Sequence, residues 1–254
     1  MTELFDLTGR VALAVGVTDI IGHAQAIGLA RHGADVIVAD SSPETAEQVA
    51  GEIQNTGRKS LPITVDVTRE QSVADMVKQA LEAFPRIDIL VNSFTTRIRK
   101  PATDFPVEEW QQVMDVNIRG TFICCKTVGR EMVKQRSGKI INHSSVRAAY
   151  GLPDGYAAYC SSKGAISTLT KTLACEWAKY NVMVNAIAPT FVKSDNPAFA
   201  EPDPEFVKMV TARIPMGRFA LPEEFVGPTV FLASKASDFV TGHILYVDGG
   251  TTTW

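Results

Sequence analysis

Short apolar, β-branched runs alternate along this chain with longer stretches of helical period, and no other feature limits the possible folds so strongly. RVALAV, DVIVAD, LPITVD, IDILVN, GKIINH and NVMVNAIAP read as strands, and GHILYVDGG adds a seventh near the end. Most are apolar throughout, as parallel strands covered on both faces must be. Between them IGHAQAIGLARHG, SPETAEQVAGEIQNTG, REQSVADMVKQALEAF, a segment from Val107 to about Arg136 and another from about Tyr156 to Lys179 read as helices. Ser42 and Pro43 make an N-cap and first-turn pair, and Gly33 and Gly57 are helix stops. The expected fold class is α/β: a doubly wound, mostly parallel sheet of about seven strands with helices on both faces. Ligands then belong at the carboxyl ends of the strands. The 254 residues show no repeat and no dividing linker, so one domain over 1–254 is expected. Its irregular excursion from Pro189 to Pro204 opens an expected substrate lid at about 189–216.

Composition removes several function classes. The formal charge is −3 with no long basic block, which gives no footprint for nucleic acid. MTELFDLTGR carries acids where a signal peptide needs bases, and no apolar run reaches membrane-spanning length. Cys124, Cys125, Cys160 and Cys175 lack metal-ligand spacing, so no metal is expected. These readings together describe a reduced, cytoplasmic protein with no membrane or nucleic-acid partner.

The turn after the first strand reads VGVTDIIGHA, with Gly16 and Gly22 in the outer positions of a dinucleotide-binding loop and Ile20 where its middle glycine belongs. The first glycine makes the turn, the last permits close packing, and the helix start offers N–H groups to a phosphate. At negative φ Ile20 carries no strain; at positive φ a β-branched residue costs roughly 1–3 kcal/mol. Asp40 ends the second strand, placed to accept from a ribose 2′-hydroxyl and to repel a 2′-phosphate. Asp19 adds a second acid in the loop, so the expected cofactor is NAD.

Tyr159 and Lys163 stand four apart on an expected helix and share a face. A phenol is a poor base at neutral pH, and a nearby ammonium favours its ionised form. Ser144 and Ser145 follow the fifth strand, where a hydroxyl can hold a substrate oxygen. Taken singly, each feature has an ordinary structural reading. In this order along the chain they resemble a family.

Over essentially its whole length the chain resembles a short-chain dehydrogenase/reductase. The likeness rests on the Gly16/Gly22 loop, Asp66 after the third strand, DVNIRG with Asn117, Ser145, the Tyr159/Lys163 pair, NAIAP and the closing VDGG. It implies a Rossmann-like fold in which Ser145 polarises the substrate oxygen and Tyr159 is the acid/base. Lys163 would hold the nicotinamide ribose and lower the tyrosine pKa, and Asn117 would support a proton relay. Asp66 would meet the adenine, and Ile21, Val67, Asn92, Ser93, Pro189, Val192 and Ser194 complete the implied cofactor contacts. The resemblance also implies a homotetramer with the Asn117 and Tyr159 helices at its interface. The ending VDGGTTTW is similar to members acting on polyols and sugars.

Three cofactor-facing turns depart from the pattern: Ile20, NSFT at Asn92–Thr95 in place of NNAG, and Pro189-Thr190 in place of PG. The interval from Ser145 to Tyr159 is also one residue longer, with Asp154 the expected insertion. Two readings stay open here. One is an NAD-dependent enzyme interconverting a secondary alcohol and a ketone on a small polar substrate: a sugar acid, a hydroxy acid or a polyol. The other is a catalytically weak or inactive nucleotide-binding protein of the same fold. Arg97 and Arg147, in the loops after the fourth and fifth strands, form an expected clamp for an anionic substrate, with Tyr156 beside them. His23, His32, His143 and His243 are expected in packing or surface roles. Phe191, Phe199 and Phe206 either close over the substrate or anchor the lid.

Overall fold

The computed structural model describes residues 2–153, 155–193 and 203–253. In chain order the elements are β1 (Val11–Val15), α1 (Ile20–Arg31), β2 (Asp35–Asp40), α2 (Pro43–Gln54), β3 (Ser60–Thr64), α3 (Glu70–Ala83) and β4 (Ile89–Asn92). They continue with α4 (Val107–Met114), α5 (Thr121–Gln135), β5 (Gly138–His143), α6 (Ala157–Trp177), β6 (Val182–Pro189), α7 (Pro204–Thr211), α8 (Val226–Ala233) and β7 (Ile244–Val247). The seven strands form one sheet in the order β3-β2-β1-β4-β5-β6-β7, every pairing parallel. The chain winds outward from β1 through β2 to β3, then returns to place β4 on the other side of β1. That reversal opens a crevice at the carboxyl ends of β1 and β4, where ligands of such sheets bind.

Alternation of side chains along these covered strands makes two cores. On one face α1, α2 and α8 bury Leu29, Val49, Ile53 and Leu232 against Val36, Val38, Ile89 and Ile187. On the other, α3, α5 and α6 bury Met76, Ile123, Met132 and Leu173 against Leu13, Ile37, Leu90 and Val184. The continuous apolar strands of the sequence are explained by this double covering. Ser42 caps α2 as its sequence predicts, accepting the Thr45 N–H at 3.2 Å with Pro43 in the first turn.

The long helical segment from Val107 divides at a point that its helical period does not mark. One π-helical turn, Asp115–Gly120, joins α4 to α5 and carries Asn117. Within the expected lid at about 189–216, α7 begins at Pro204, and Val192 pairs in parallel with Ala220. Ser194, Phe199 and Asp154 lie outside the described residues. No described helix is long and apolar enough to cross a membrane.

Candidate active site

A cavity of about 1700 Å³ opens at the carboxyl ends of the strands, between the loops that follow β1, β4, β5 and β6. Sites for single small molecules rarely exceed about 1,000 Å³, so this one has room for a dinucleotide and a second ligand. Two glycines shape one end. Gly16 has φ +88° and lies so close to the Phe94 backbone that a Cβ there would collide with it. A Cβ on Gly22 would strike the Gly16 carbonyl and the Ser93 side chain. Ile20, by contrast, is the first residue of α1 and is not among the residues with positive φ. Its side chain packs against the core on the α1 side and lines the cavity, so the missing glycine brings no backbone strain.

Two N–H groups at the start of α1, those of Ile21 and Gly22, are already engaged, where the sequence led us to expect them free. Asp19 caps the helix and accepts from Ile21 N–H at 2.9 Å and Gly22 N–H at 3.4 Å. Burial pushes the Asp19 carboxyl above its ordinary value, with these two bonds pulling it back. Asp40 is buried at the end of β2 and lines the same cavity. Its Oδ2 accepts the Thr18 N–H at 2.8 Å, and its Oδ1 accepts the Thr18 hydroxyl at 2.9 Å and the Ser42 N–H at 3.0 Å. Asp40 therefore staples the loop after β1 to the start of α2, while Oδ2 keeps acceptor capacity for a ligand hydroxyl. Asp66, Val67 and Ser93 also line the cavity. Asn92 does not; its amide is buried behind the wall, donating to Asn142 Oδ1 at 2.9 Å.

At the other end Ser145, Tyr159 and Lys163 converge. Ser145 Oγ accepts the Arg147 N–H at 3.1 Å, and its hydroxyl is near enough to the Tyr159 phenol to pull the phenol's pKa down. Lys163, one turn beyond Tyr159 on α6, donates from Nζ to the His143 carbonyl at 2.8 Å and lies 5.7 Å from the Tyr159 ring centroid. Burial brings the lysine down to about 8. It also holds Tyr159 above its ordinary value, against the pull of the nearby Ser145 hydroxyl and the Arg97 charge. Burial outweighs both.

Asn117 does not line the cavity but packs beside its Tyr159 end. Its Oδ1 accepts the Thr96 N–H at 2.7 Å, and Nδ2 donates to the Thr96 carbonyl and to Ser162 Oγ, both at 2.9 Å. Ser162 in turn donates to the Tyr159 carbonyl at 2.8 Å. The amide thus braces the loop after β4 against the first turn of α6. His143 is buried in a packing role, as expected, and burial lowers its pKa to about 3. Its ring lies between Ser93 Oγ at 3.2 Å and Gln25 Oε1 at 2.8 Å.

The two expected clamp arginines separate. Arg97 lines the cavity together with Tyr156. Arg147 does not line it; its guanidinium lies over Tyr150 at 4.9 Å and over Phe191 at 5.5 Å. A second arginine missed in the sequence, Arg99, faces the cavity and covers the Tyr156 ring at 4.8 Å. The signal was present as the alternating Arg97-Ile98-Arg99 in a loop, whose side chains at i and i+2 can share one side. Pro189 and Val192 line the cavity, and Phe191 stacks on Phe219 at 5.7 Å and meets Phe206 edge-on at 5.9 Å.

A parallel doubly wound sheet with a Ser–Tyr–Lys set at its carboxyl edge defines a class, and sequence comparison agrees. The family model described as enoyl-(acyl carrier protein) reductase matches residues 16–252, and the chain belongs to the short-chain dehydrogenase/reductase family. Within that family it is 42% identical over 253 residues to the 2-dehydro-3-deoxy-D-gluconate 5-dehydrogenase of Pseudoalteromonas atlantica, covering 98% of each chain. It is 37% identical to the NAD-dependent glycerol dehydrogenase of Listeria innocua, with 98% of this chain and 96% of that one covered. The gluconate 5-dehydrogenase of Burkholderia cenocepacia, solved in complex with NADP and tartrate, superposes with a TM-score of 0.94 at 35% identity, over 100% of this chain and 99% of that one.

Proposed function

We propose that this protein is an NAD-dependent oxidoreductase that interconverts a secondary alcohol and a ketone on a small, anionic, polar substrate of the sugar-acid or hydroxy-acid class. The observation that carries the reading is the meeting of Ser145, Tyr159 and Lys163 on the wall of one cavity, which the Gly16/Gly22 loop closes at its other end. The glycine cradle and Asp40 fit a dinucleotide, and Asp40 favours a free 2′-hydroxyl over a 2′-phosphate. The nicotinamide ring, when bound, accepts or returns the hydride. Ser145 holds and polarises the substrate oxygen. Tyr159 gives a proton to that oxygen in ketone reduction and takes it back in alcohol oxidation, and its raised pKa keeps it in the donor form at neutral pH. Lys163, close to neutrality by burial, places an ammonium beside the phenol and donates to a ribose hydroxyl.

Arg97 favours a carboxylate at the substrate end, because a planar guanidinium matches it bidentately. The tartrate-bound relative and the sugar-acid dehydrogenases support the same class. That relative holds NADP, whereas a preference of this protein for NAD rests on Asp40. The protein acts as a single domain, in solution as a homotetramer in the cytoplasm.

The non-catalytic reading keeps one observation in its favour, the Asp19 carboxylate on the α1 N–H groups. Tyr159→Phe separates the two. Turnover should fall by roughly 10²–10⁴, the value of a general acid–base group, while NAD affinity by calorimetry stays within about twofold. Undiminished turnover places the chemistry elsewhere, and no turnover in the wild type with any hydroxy acid supports the non-catalytic protein.

A further inference from the structure

We propose that Asp19 is a built-in competitor for the phosphate position, so that binding of the dinucleotide exchanges one anion for another at the start of α1. The proposal rests on the nicotinamide reading above. Three observations carry it. Asp19 accepts from both Ile21 N–H and Gly22 N–H, donors that a pyrophosphate at this helix start would use. Its carboxylate belongs to the wall of the cavity, as do Gly16 and Ile20 on either side of it. Two cations, Lys163 from α6 and Arg97 from the loop after β4, line the same cavity, and their charges act on Asp19.

An N–H group donates to one anion at a time. A dinucleotide must therefore turn the Asp19 side chain away or settle its phosphates off the helix axis. Either course lowers affinity, because the displaced carboxylate stays in a four-residue loop beside two phosphate charges. Asp40, fixed to Thr18 by two bonds, holds that loop in place and adds a second carboxylate to the same end. Ile20 sharpens the competition. Its side chain fills space that a glycine would leave to the ligand, so the phosphates have less room to shift sideways. Arg97 and Lys163 face whichever anion occupies the position, and Arg97 becomes a contact for phosphate as well as for substrate. The arrangement selects against weakly held nucleotides and raises the dinucleotide concentration needed for saturation.

Asn is as good a helix N-cap as Asp, so Asp19→Asn keeps the cap and removes only the charge. Titration calorimetry with NAD and with ADP-ribose should show this variant binding both about fivefold more tightly than the wild type, the scale of one charge at a helix terminus. Its unliganded melting temperature should stay within about two degrees of wild type. Asp19→Ser, a second good cap, should reproduce the gain and decides the matter if the first variant folds poorly. Unchanged or weaker binding in the variants would overturn the proposal and make Asp19 a neutral or favourable contact. Absence of NAD binding by wild type and variants alike would instead remove the nicotinamide reading on which it rests.

Discussion

Lys163 is a buried ammonium that donates to the His143 carbonyl and has no carboxylate within an ion pair among the described residues. Its position is costly to the unliganded fold. Burial lowers its pKa from 10.5 to about 8, so between those values the unfolded chain binds more protons than the folded one. Stability therefore gains from this group as pH rises through the window, and the full penalty is present below about pH 8. At about 1.36 kcal/mol per unit, that penalty is on the order of 3 kcal/mol, against about 1–3 kcal/mol for leaving the carbonyl unpaired. Lys163→Met should accordingly melt no lower than wild type at pH 7 and lose the rise in stability between pH 8 and 10, while losing turnover. A drop of more than about 4 °C by calorimetry would show that the ammonium stabilises the fold. His143 is another buried titratable group at this end, and with a pKa near 3 it stays neutral above pH 5. A kcat/KM profile between pH 5 and 9 should show no inflection that His143→Gln removes.

The loop from β1 to α1 shows at the scale of an element what the sequence can and cannot disclose. Gly16 and Gly22 were legible because positive φ and close backbone approach are demands that only glycine meets. The consequence of Ile20 was not legible, since it depended on whether the helix begins at that residue, and it does. With no strain to relieve, Ile20→Gly should lower the melting temperature by a few degrees, about 1 kcal/mol for glycine in a helix plus lost packing. NAD affinity should stay unchanged or tighten by up to about threefold; marked weakening would make Ile20 a positive contact. Seven strands and their parallel order followed from apolar runs alternating with helical ones, a periodic signal that survives without any contact information. Asn92, Asn117 and Arg147 were harder to place. Their roles depend on which side of a loop or a π-helical turn each side chain leaves, and a local pattern does not encode that. Asp40 was legible by its position at the end of β2, although its bonds to Thr18 and Ser42 depend on tertiary approach. The buried Asp40 facing a 2′-phosphate should still give NAD at least about a 100-fold advantage in kcat/KM over NADP, as a desolvated like-charge contact costs several kcal/mol. A preference for NADP would mean that Asp40 turns away when the ligand enters.

For the whole molecule, one cavity joins a dinucleotide end, held by β1, β2 and α1, to a reacting end held by β5 and α6, and the reversal of strand order between β1 and β4 places both ends on one crevice. We propose that this crevice oxidises an acidic alcohol and that Arg97 holds its charge. The most direct measurement is kcat/KM with NAD for gluconate and for the neutral polyol of the same chain length, in the wild type and in Arg97→Met. The acid should be preferred by at least about tenfold in the wild type. The substitution should raise KM for the acid by about 10–100-fold, the value of a charge-assisted pair at about 1.5–3 kcal/mol, and spare the polyol. Equal turnover of acid and polyol in both proteins would contradict the claim.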